Sequence, residues 1–483
     1  MKLHQLLYGL DLKKKLENTS ANLIIQGLAD NSKDVKEGDL FVAIKGLGSD
    51  GHDYIENAIA KGAAVIIGEH PSADLSIPYI QVTNSRKALG IIANNFYGDP
   101  SKEKMMIGIT GTNGKTTTSY ILKHILESNG KTCSVIGTIQ NIINGERIPS
   151  FNTTPSSLTL NKLISLSNDE VIIMEVSSHG LSQHRIEGVA FDYCLFTNLH
   201  HEHLDYHSSM EDYFQAKLLL FKQLKPDGKV IANTDNSWGE KLTGVFQNER
   251  KLVYRIGKAS KNQLRIIDFD LHNSTVSFEE NNEFNAAFSS ISGIHNMYNT
   301  LMAYGTAKLM GLVKESILQS LYKFEGVDGR FEISKQTNGA VVVFDYAHTP
   351  DAIVHCLTTA KQCGAKRIIH IFGFRGDRDS SKRGEMLSLT AELSDRYMLT
   401  LDDLNSVPIK DMLEAYTHLN DNYGNEKGSI ILDRTLAIKK AIQESQMGDW
   451  ILITGKGHEK YQQNFQLPTT SDRETIDFIS NSN

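Results

Sequence analysis

Cysteine is scarce in this chain. Its 483 residues hold four, Cys133, Cys194, Cys356 and Cys363, and no two are spaced as C-x-x-C. That excludes a disulfide framework and a zinc ribbon and suits a reducing cytosol. Nowhere does an apolar run approach the roughly eighteen residues that a membrane span needs, so no membrane partner is expected. The start, M-K-L-H-Q-L-L-Y-G-L, is too short and polar for a signal peptide, and a cytoplasmic location follows as an expectation. There is no large basic block, and the net charge is -7, which disfavours nucleic acid as the main partner. Internal repeats are absent, and no low-complexity tail extends beyond the last few polar residues. What remains is ordinary for a globular enzyme: 40% apolar and 22% charged residues. The length suggests about three domains, read as a monomer.

The most informative stretch is M-M-I-G-I-T-G-T-N-G-K-T-T-T-S-Y, residues 105–120. A short apolar run of strand character feeds a Gly-rich turn, which opens a helical segment. Gly111 and Gly114 let the backbone approach phosphates and aim its N–H groups at them. Lys115 adds a point charge and Thr116 a hydroxyl for Mg²⁺. The strict phosphate-loop spacing wants another glycine at position 109, which is Ile109, so this is a variant loop, G-T-N-G-K-T-T. Thr112, Asn113 and Thr117 complete the candidate ATP cradle.

Short strands at 38–46, 63–68 and 78–83, with helical segments at 53–61 and 86–96, predict a small α/β domain over 1–98. A turn cluster, Gly98-Asp99-Pro100-Ser101, closes it. From 99 to 327 the strands at 105–110, 171–176, 192–197 and 229–233 are continuously apolar, as in a parallel sheet buried on both faces. Residues 263–288 alternate apolar and polar, which predicts an antiparallel excursion. From 328 to 483 a new alternation begins. Strands fit 340–346, 367–373, 397–401, 429–433 and 450–454, and helices fit 351–363, 383–393, 409–417 and 435–445. That pattern predicts a doubly wound, Rossmann-like sheet. The fold class is thus α/β in three domains, the central one a parallel-sheet mononucleotide-binding domain.

Several polar residues fall where such sheets do chemistry. Glu175 ends a buried strand, in the crevice where α/β folds bind ligands, and can hold Mg²⁺ beside the phosphate loop. Residues 197–207 are rich in histidine, but H-E-x-x-H is not satisfied and no thiolate is near, so zinc is disfavoured. His203 is assigned a role near Mg²⁺ or phosphate. Lys217, in a helical run before Leu218, admits two readings: a surface lysine lying on its stem, or a desolvated amine of lowered pKa. In the third domain, three strands each end in a charged or Gly-rich loop: 345–350, 373–379 and 455–459. Three such loops suggest a composite site facing the phosphate loop across a cleft.

Taken together, these motifs resemble the Mur ligases over essentially the whole chain. The marks are G-T-N-G-K-T-T at 111–117, N-T-T-P at 152–155, E-V-S-S-H-G-L at 175–181 and Q-H-R at 183–185. To these add H-L-D-Y-H at 203–207, D-Y-A-H-T-P-D at 345–351, G-D-R-D at 376–379 and G-K-G-H-E at 455–459. The resemblance implies ATP-dependent addition of the third amino acid to UDP-N-acetylmuramoyl-L-alanyl-D-glutamate, through an acyl phosphate, in peptidoglycan precursor synthesis. It implies Mg²⁺ held by Thr116, Glu175, His203 and a carbamylated Lys217, with Lys115, Glu175, His203 and Lys217 as the catalytic set. By the same resemblance Ser32 holds the UDP group, while Asn152, Thr153, Thr154, Ser177, Gln183 and Arg185 contact the muramoyl dipeptide. Asn296, Asn299 and Arg330 contact the nucleotide, joined by Asp345 and His348. Arg378, Asp403, Asn405, Gly455 and Glu459 receive the incoming amino acid.

The chain departs from the family pattern in places. Where S-R-D-H is usual it has His200-His201-Glu202-His203; D-S-R is replaced around Asp30-Asn31-Ser32-Lys33; His295 stands where an aromatic residue usually precedes Asn296. Enzymes that take meso-diaminopimelate carry D-N-P-R, whose arginine clamps the distal carboxylate. Here the loop reads Asp402-Asp403-Leu404-Asn405-Ser406, net acidic and without arginine. It predicts L-lysine, or another amino acid lacking a distal carboxylate. A related amide ligase acting on another acid (a folate polyglutamate or secondary-metabolite type) and a catalytically weakened regulatory paralogue are the rival readings.

Overall fold

The computed structural model describes residues 1–12, 18–46, 48–71, 75–204, 206–248 and 251–482. Three sheets follow one another along the chain. The first is four-stranded and parallel: Gly27–Ala29, Asp39–Val42, Val65–Gly68 and Tyr79–Gln81. The last three are the strands expected from the sequence. Gly27–Ala29 escaped because three residues are too few to show a period.

The second sheet has eleven strands. Seven lie side by side and parallel: Leu264–Asp270, Val253–Gly257, Leu224–Asn233, Phe191–Phe196, Met105–Thr110, Val171–Glu175 and Cys133–Ile136. Met105–Thr110 sits in the middle with parallel neighbours on both sides, and every residue after Met105 in it is buried. Helices cover both faces, which is why these strands read as unbroken apolar runs. The antiparallel excursion is present at one edge as Leu264–Asp270, Thr275–Glu280 and Glu283–Phe288. The opposite edge carries an unanticipated hairpin, Gln140–Ile143 with Glu146–Pro149. Its turn is Asn144-Gly145, with φ of 54° and 82°. Both central residues of that turn type need positive φ, and Asn-Gly supplies it.

The third sheet has six strands. Val341–Asp345, Asp449–Thr454, Arg367–Phe372, Arg396–Leu399 and Gly428–Ile430 are parallel, and Glu332–Lys335 pairs antiparallel at the edge. Helices Pro350–Gln362, Arg383–Leu393, Ile409–Tyr423 and Arg434–Glu444 alternate with them, as the sequence pattern predicts. A further helix, Asp472–Ser482, is fastened by a fully buried pair: Arg434 Nε donates to Asp472 Oδ1 at 2.7 Å.

Helix Lys115–Ser128, which follows the phosphate-loop strand, packs along helix Ile294–Leu309. One apolar cluster runs from Ile107 and Ile121 through Met297 and Leu301 to Val343, Leu357 and Leu452. It joins the central sheet to the C-terminal one. The carboxyl ends of Met105–Thr110 and Val341–Asp345 therefore open into a shared cleft. Among the described residues, no helix is long and apolar enough to cross a membrane.

Candidate active site

A cavity of about 570 Å³ fills that cleft. Residues 112–117, Thr153, Ser177, His203, Asn296 and Asn299 line it from the central domain, and Arg330, Asp345, His348 and Arg378 face them. Two of the three strand-end loops of the third domain, 345–349 and 373–379, thus meet the phosphate loop as the sequence suggests. Gly455 and Glu459 of the third loop stand behind the wall and act on it through Arg375.

The loop's conformation is set by its two glycines. Gly111 has φ 151° and Gly114 φ 88°. A Cβ at Gly111 would stand 1.9 Å from Thr197 Oγ1, and one at Gly114 would stand 2.2 Å from Asn299 Oδ1. The loop is thus pressed between strand Phe191–Phe196 and helix Ile294–Leu309. Asn113 N donates to Asn198 Oδ1 at 2.9 Å, and Thr197 Oγ1 donates to the Asn113 carbonyl at 2.7 Å. Gly114 is the N-cap of Lys115–Ser128 and supplies no side-chain cap. The first amides of that helix, with its positive dipole end, face the cavity and suit an anion. Behind them, Asn299 Nδ2 donates to Asn296 Oδ1 at 3.1 Å, fixing the pair.

Glu175 is wholly buried, yet among the described residues no basic side chain bonds its carboxylate directly. Thr116 Oγ1 donates to its Oε2 at 2.7 Å, Thr138 Oγ1 to the same oxygen at 2.8 Å, and Thr138 N to Oε1 at 3.0 Å. Arg330 reaches this group through Thr116, donating from Nη2 to Oγ1 at 3.2 Å. A buried carboxylate and a threonine hydroxyl at the phosphate loop form a hard oxygen donor set, which fits Mg²⁺. Thr138 was not foreseen: it lies on a connection between strands with no local pattern of its own.

Lys217 is 1% exposed, so the surface-lysine reading is overturned. Its helix, Met210–Phe221, carries it inward beneath the loop, with Nζ 4.4 Å from the centre of the Tyr213 ring. Nζ donates to the Gly111 carbonyl at 3.0 Å. Burial, and then the charge of Lys115, holds the Lys217 ammonium well below its usual pKa. Lys115 Nζ donates to the carbonyls of Gly111 and Thr112, both at 2.8 Å. Burial lowers its pKa as well, partly offset by Glu175 and Glu202. Lys217 does not itself line the cavity.

His203 has φ 58°, in the left-handed region, and its side chain is 39% exposed on the cavity wall. Its Nε2 lies 3.8 Å from Glu202 Oε2, and His348 Nε2 lies 3.9 Å from Glu202 Oε1. Burial lowers the His348 pKa to about 4, so this ring is neutral near pH 7. Asp345 is turned to its own domain: Phe331 N donates to Oδ2 at 2.6 Å and Ala347 N to Oδ1 at 2.7 Å. It shapes the loop that carries His348. Asp205 of the His-rich segment lies outside the described residues.

The residues assigned to the dipeptide form a neighbouring wall. Arg185 Nη1 donates to the Thr154 carbonyl at 2.6 Å and its Nη2 to Gln183 Oε1 at 2.8 Å; Ser177 N donates to Thr154 Oγ1 at 2.9 Å. Thr153 and Ser177 reach the cavity, whereas Asn152 is exposed, and Ser32 is half-buried in a turn of the first domain outside it.

The amino-acid loop differs from its sequence reading. Asp402 and Asp403 do not form an open acidic surface. Both are buried, and Lys456, 1% exposed, donates to Asp403 Oδ1 and stands 3.5 Å from Asp402 Oδ1. Arg375 Nε lies 3.6 Å from Asp402 Oδ1, and its Nη2 donates to Glu459 and to the Gly455 carbonyl. Burial raises the Asp402 pKa, but Arg375 and Lys456 outweigh it and hold it below the usual range. The loop's charge is thus cancelled internally. Asn405 is also engaged, donating from Nδ2 to the Gly376 carbonyl at 2.7 Å, and Ser406 N donates to Asp377 Oδ2 at 2.9 Å. These bonds tie the loop to G-D-R-D and so place Arg378. Arg375 and Lys456 fall in the 373–379 and 455–459 loops that the sequence marks as a composite site, although neither is singled out there as a site residue.

Among the described residues, the one cluster with metal-ligand geometry is Asp50, His52 and His70, in the first domain. There Glu69 N donates to His52 Nε2 at 2.9 Å, and His52 Nδ1 lies 2.6 Å from Asp50 Oδ1. Both ring nitrogens of His52 are used.

Three family descriptions match the chain in order: "Mur ligase family, catalytic domain" over residues 24–97, "Mur ligase middle domain" over 109–307 and "Mur ligase, glutamate ligase domain" over 329–457. A UDP-N-acetylmuramoyl-L-alanyl-D-glutamate--2,6-diaminopimelate ligase of Clostridium botulinum is 40% identical over 453 residues, 91% of each chain. One of the same name from Bacillus velezensis is 37% identical over 475 residues, covering 96% of this chain and 95% of its own. A solved structure of an enzyme so named superposes with a TM-score of 0.69 at 25% identity, over 100% of this chain and 99% of that one. The fold is also that of the MurF ligase from Thermotoga maritima in complex with ADP, with a TM-score of 0.64 at 20% identity, over 91% and 95% of the two chains.

Proposed function

The chain belongs to the Mur ligase family, and from that premise we propose that it joins a third amino acid to UDP-N-acetylmuramoyl-L-alanyl-D-glutamate, with ATP as the phosphoryl donor. The single observation that carries this reading is the cavity in which the phosphate loop, the Glu175 network and the Arg378 loop converge. The proposed domain limits are 1–98, 99–327 and 328–483, each holding one sheet. The chain is proposed to act as a monomer. The scattered free cysteines support a cytoplasmic enzyme.

In the proposed mechanism the γ-phosphoryl group of ATP lies against the first turn of Lys115–Ser128. A carboxylate oxygen of the dipeptide, held by the 152–154 and Arg185 wall, attacks the γ-phosphorus, and ADP leaves. Lys115 turns from the Gly111 and Thr112 carbonyls to the phosphate oxygens and neutralises the developing charge, so positioning and electrostatics do the work. Thr116 and Glu175, with His203 and a carbamylated Lys217, would hold Mg²⁺, which when bound spreads the charge of the phosphate oxygens. The amine of the amino acid, its α-carboxylate on Arg378, attacks the acyl carbon; phosphate leaves with the bridging oxygen, and the amine loses a proton. Closure of the cleft excludes water from the acyl phosphate.

For the amino acid, we propose L-lysine or another without a distal carboxylate. Asn405 occupies the place of the clamping arginine and is spent on Gly376. The second reading, meso-diaminopimelate, is favoured by the relatives' names and by Lys382 and Arg383 on the cavity wall. Purified protein with ATP, Mg²⁺, the UDP-muramoyl dipeptide and a panel of amino acids tests the reading. Phosphate release dependent on both acceptor and amino acid is expected; release that ignores the dipeptide would sink it.

A further inference from the structure

Two departures from the family pattern, His200 and His295, are far apart in sequence yet come together with His355 around one carboxylate. That carboxylate is Asp351, in the first turn of helix Pro350–Gln362 of the C-terminal domain. Its Oδ1 lies 3.4 Å from His200 Nδ1 and 3.4 Å from His355 Nε2. Its Oδ2 accepts from Asn113 Nδ2 at 2.9 Å. The His295 and His355 ring centres are 5.0 Å apart.

Asn113 is the tip of the phosphate loop. Its backbone is fastened to the central domain through Thr197 and Asn198, but its side chain reaches across the cleft to Asp351. His200 is fixed to the same loop, since its N–H donates to Thr112 Oγ1 at 3.0 Å. The helix that bears Asp351 already has its own cap, Thr349, whose hydroxyl accepts from Ala352 N at 3.3 Å. The carboxylate is therefore not needed as the N-cap. It complements the helix dipole, but its bonds lead to the other domain.

We propose that Asp351 is a positioning residue for the phosphate loop: the C-terminal domain delivers it to Asn113, and His200 and His355 hold it there, so that docking of the two domains sets the geometry of the ATP cradle. Although burial raises the Asp351 pKa, His355 and His200 outweigh it and keep the group ionised, as a strong acceptor requires. The ATP site as such comes from the proposed function; the coupling of that site to the C-terminal domain through Asp351 is new.

The test is a double-mutant cycle read on ADP affinity by calorimetry, which needs neither acceptor nor amino acid, and on kcat in the full-length enzyme. Asp351→Ala and Asn113→Ala are each expected to weaken ADP binding about tenfold, the value of one charge-assisted hydrogen bond, and the double variant no further. Asp351→Asn should recover part of the loss, because its amide oxygen still accepts from Asn113. His200→Ser should weaken binding in the wild-type background and have no effect in Asp351→Ala. If the Asp351→Ala protein does not fold, Asp351→Asn with Asn113→Ala closes the same cycle. A purely structural role would lower Tm and leave ADP affinity unchanged. That result, or losses that multiply in the double variant, overturns the proposal. An intact ADP cycle in a protein that fails to ligate the UDP-muramoyl dipeptide would instead overturn the proposed function alone.

Discussion

Lys115 and Lys217 donate to the same oxygen: the carbonyl of Gly111 accepts from Lys115 Nζ at 2.8 Å and from Lys217 Nζ at 3.0 Å. Two ammonium groups converging on one carbonyl in a buried site repel each other, and among the described residues no carboxylate bonds either one directly. The strain falls on Lys217, which is fully buried. A neutral amine there is nucleophilic and can take up carbon dioxide as a carbamate, which turns a repelling cation into an anion that suits Mg²⁺.

Lys217→Ala is accordingly expected to abolish ligation in a folded protein, and millimolar short carboxylic acids are expected to restore part of it. Full activity of the alanine variant in a phosphate-release assay would count against the carbamate.

The same lysine gives a pH dependence of stability. Its folded-state pKa lies well below its unfolded value, because burial disfavours the charge. Between those two values the unfolded chain binds the extra proton, so stability rises with pH through this window and the penalty is relieved above about pH 10.4. Lys217→Met should therefore raise Tm near pH 7 without nucleotide, with the gain shrinking as pH approaches that value. Melting curves at pH 7 and above pH 10 check this; a gain that grows with pH would show the sign to be wrong.

Lys115→Ala should lower kcat by roughly 10²–10³-fold, as for loss of one preorganised contact to transferring charge. Among the described residues its ammonium bonds loop carbonyls within four residues, so the melting temperature should stay near wild type. Near-normal turnover would remove the phosphoryl-transfer role from this loop.

Lys456→Ala should destabilise the C-terminal domain by about 3–5 kcal/mol, since it leaves Asp402 and Asp403 buried with one cation fewer. Urea unfolding measures it. A change below about 1 kcal/mol, the range of exposed pairs, would mean that water already screens the two carboxylates.

For the amino acid, L-lysine is expected to outcompete meso-diaminopimelate in a mixed assay, and Asn405→Arg should move the preference toward the diacid. Predominant diaminopimelate incorporation by the unaltered enzyme would instead place the distal carboxylate on Lys382 or Arg383.

The sequence alone determined what depends on neighbours along the chain. Gly111 and Gly114 fixed the phosphate loop because positive φ and close backbone approach are local requirements. The continuous apolar runs at Met105–Thr110 and Val171–Glu175 announced strands buried on both faces. The alternation over 263–288 announced an antiparallel edge. Tertiary structure alone decided which charges meet. Asp402-Asp403 reads as an acidic loop until Lys456, more than fifty residues later, folds against it. Lys217 admits both a surface and a desolvated reading until its helix turns it under Gly111. Asp351 is the last letter of a motif and the first of a predicted helix, and the fold alone brings Asn113 of another domain to it. Electrostatic partners act through space and leave no period or spacing in the chain, so a pattern of residues can name the groups at a site but not which of them neutralise one another.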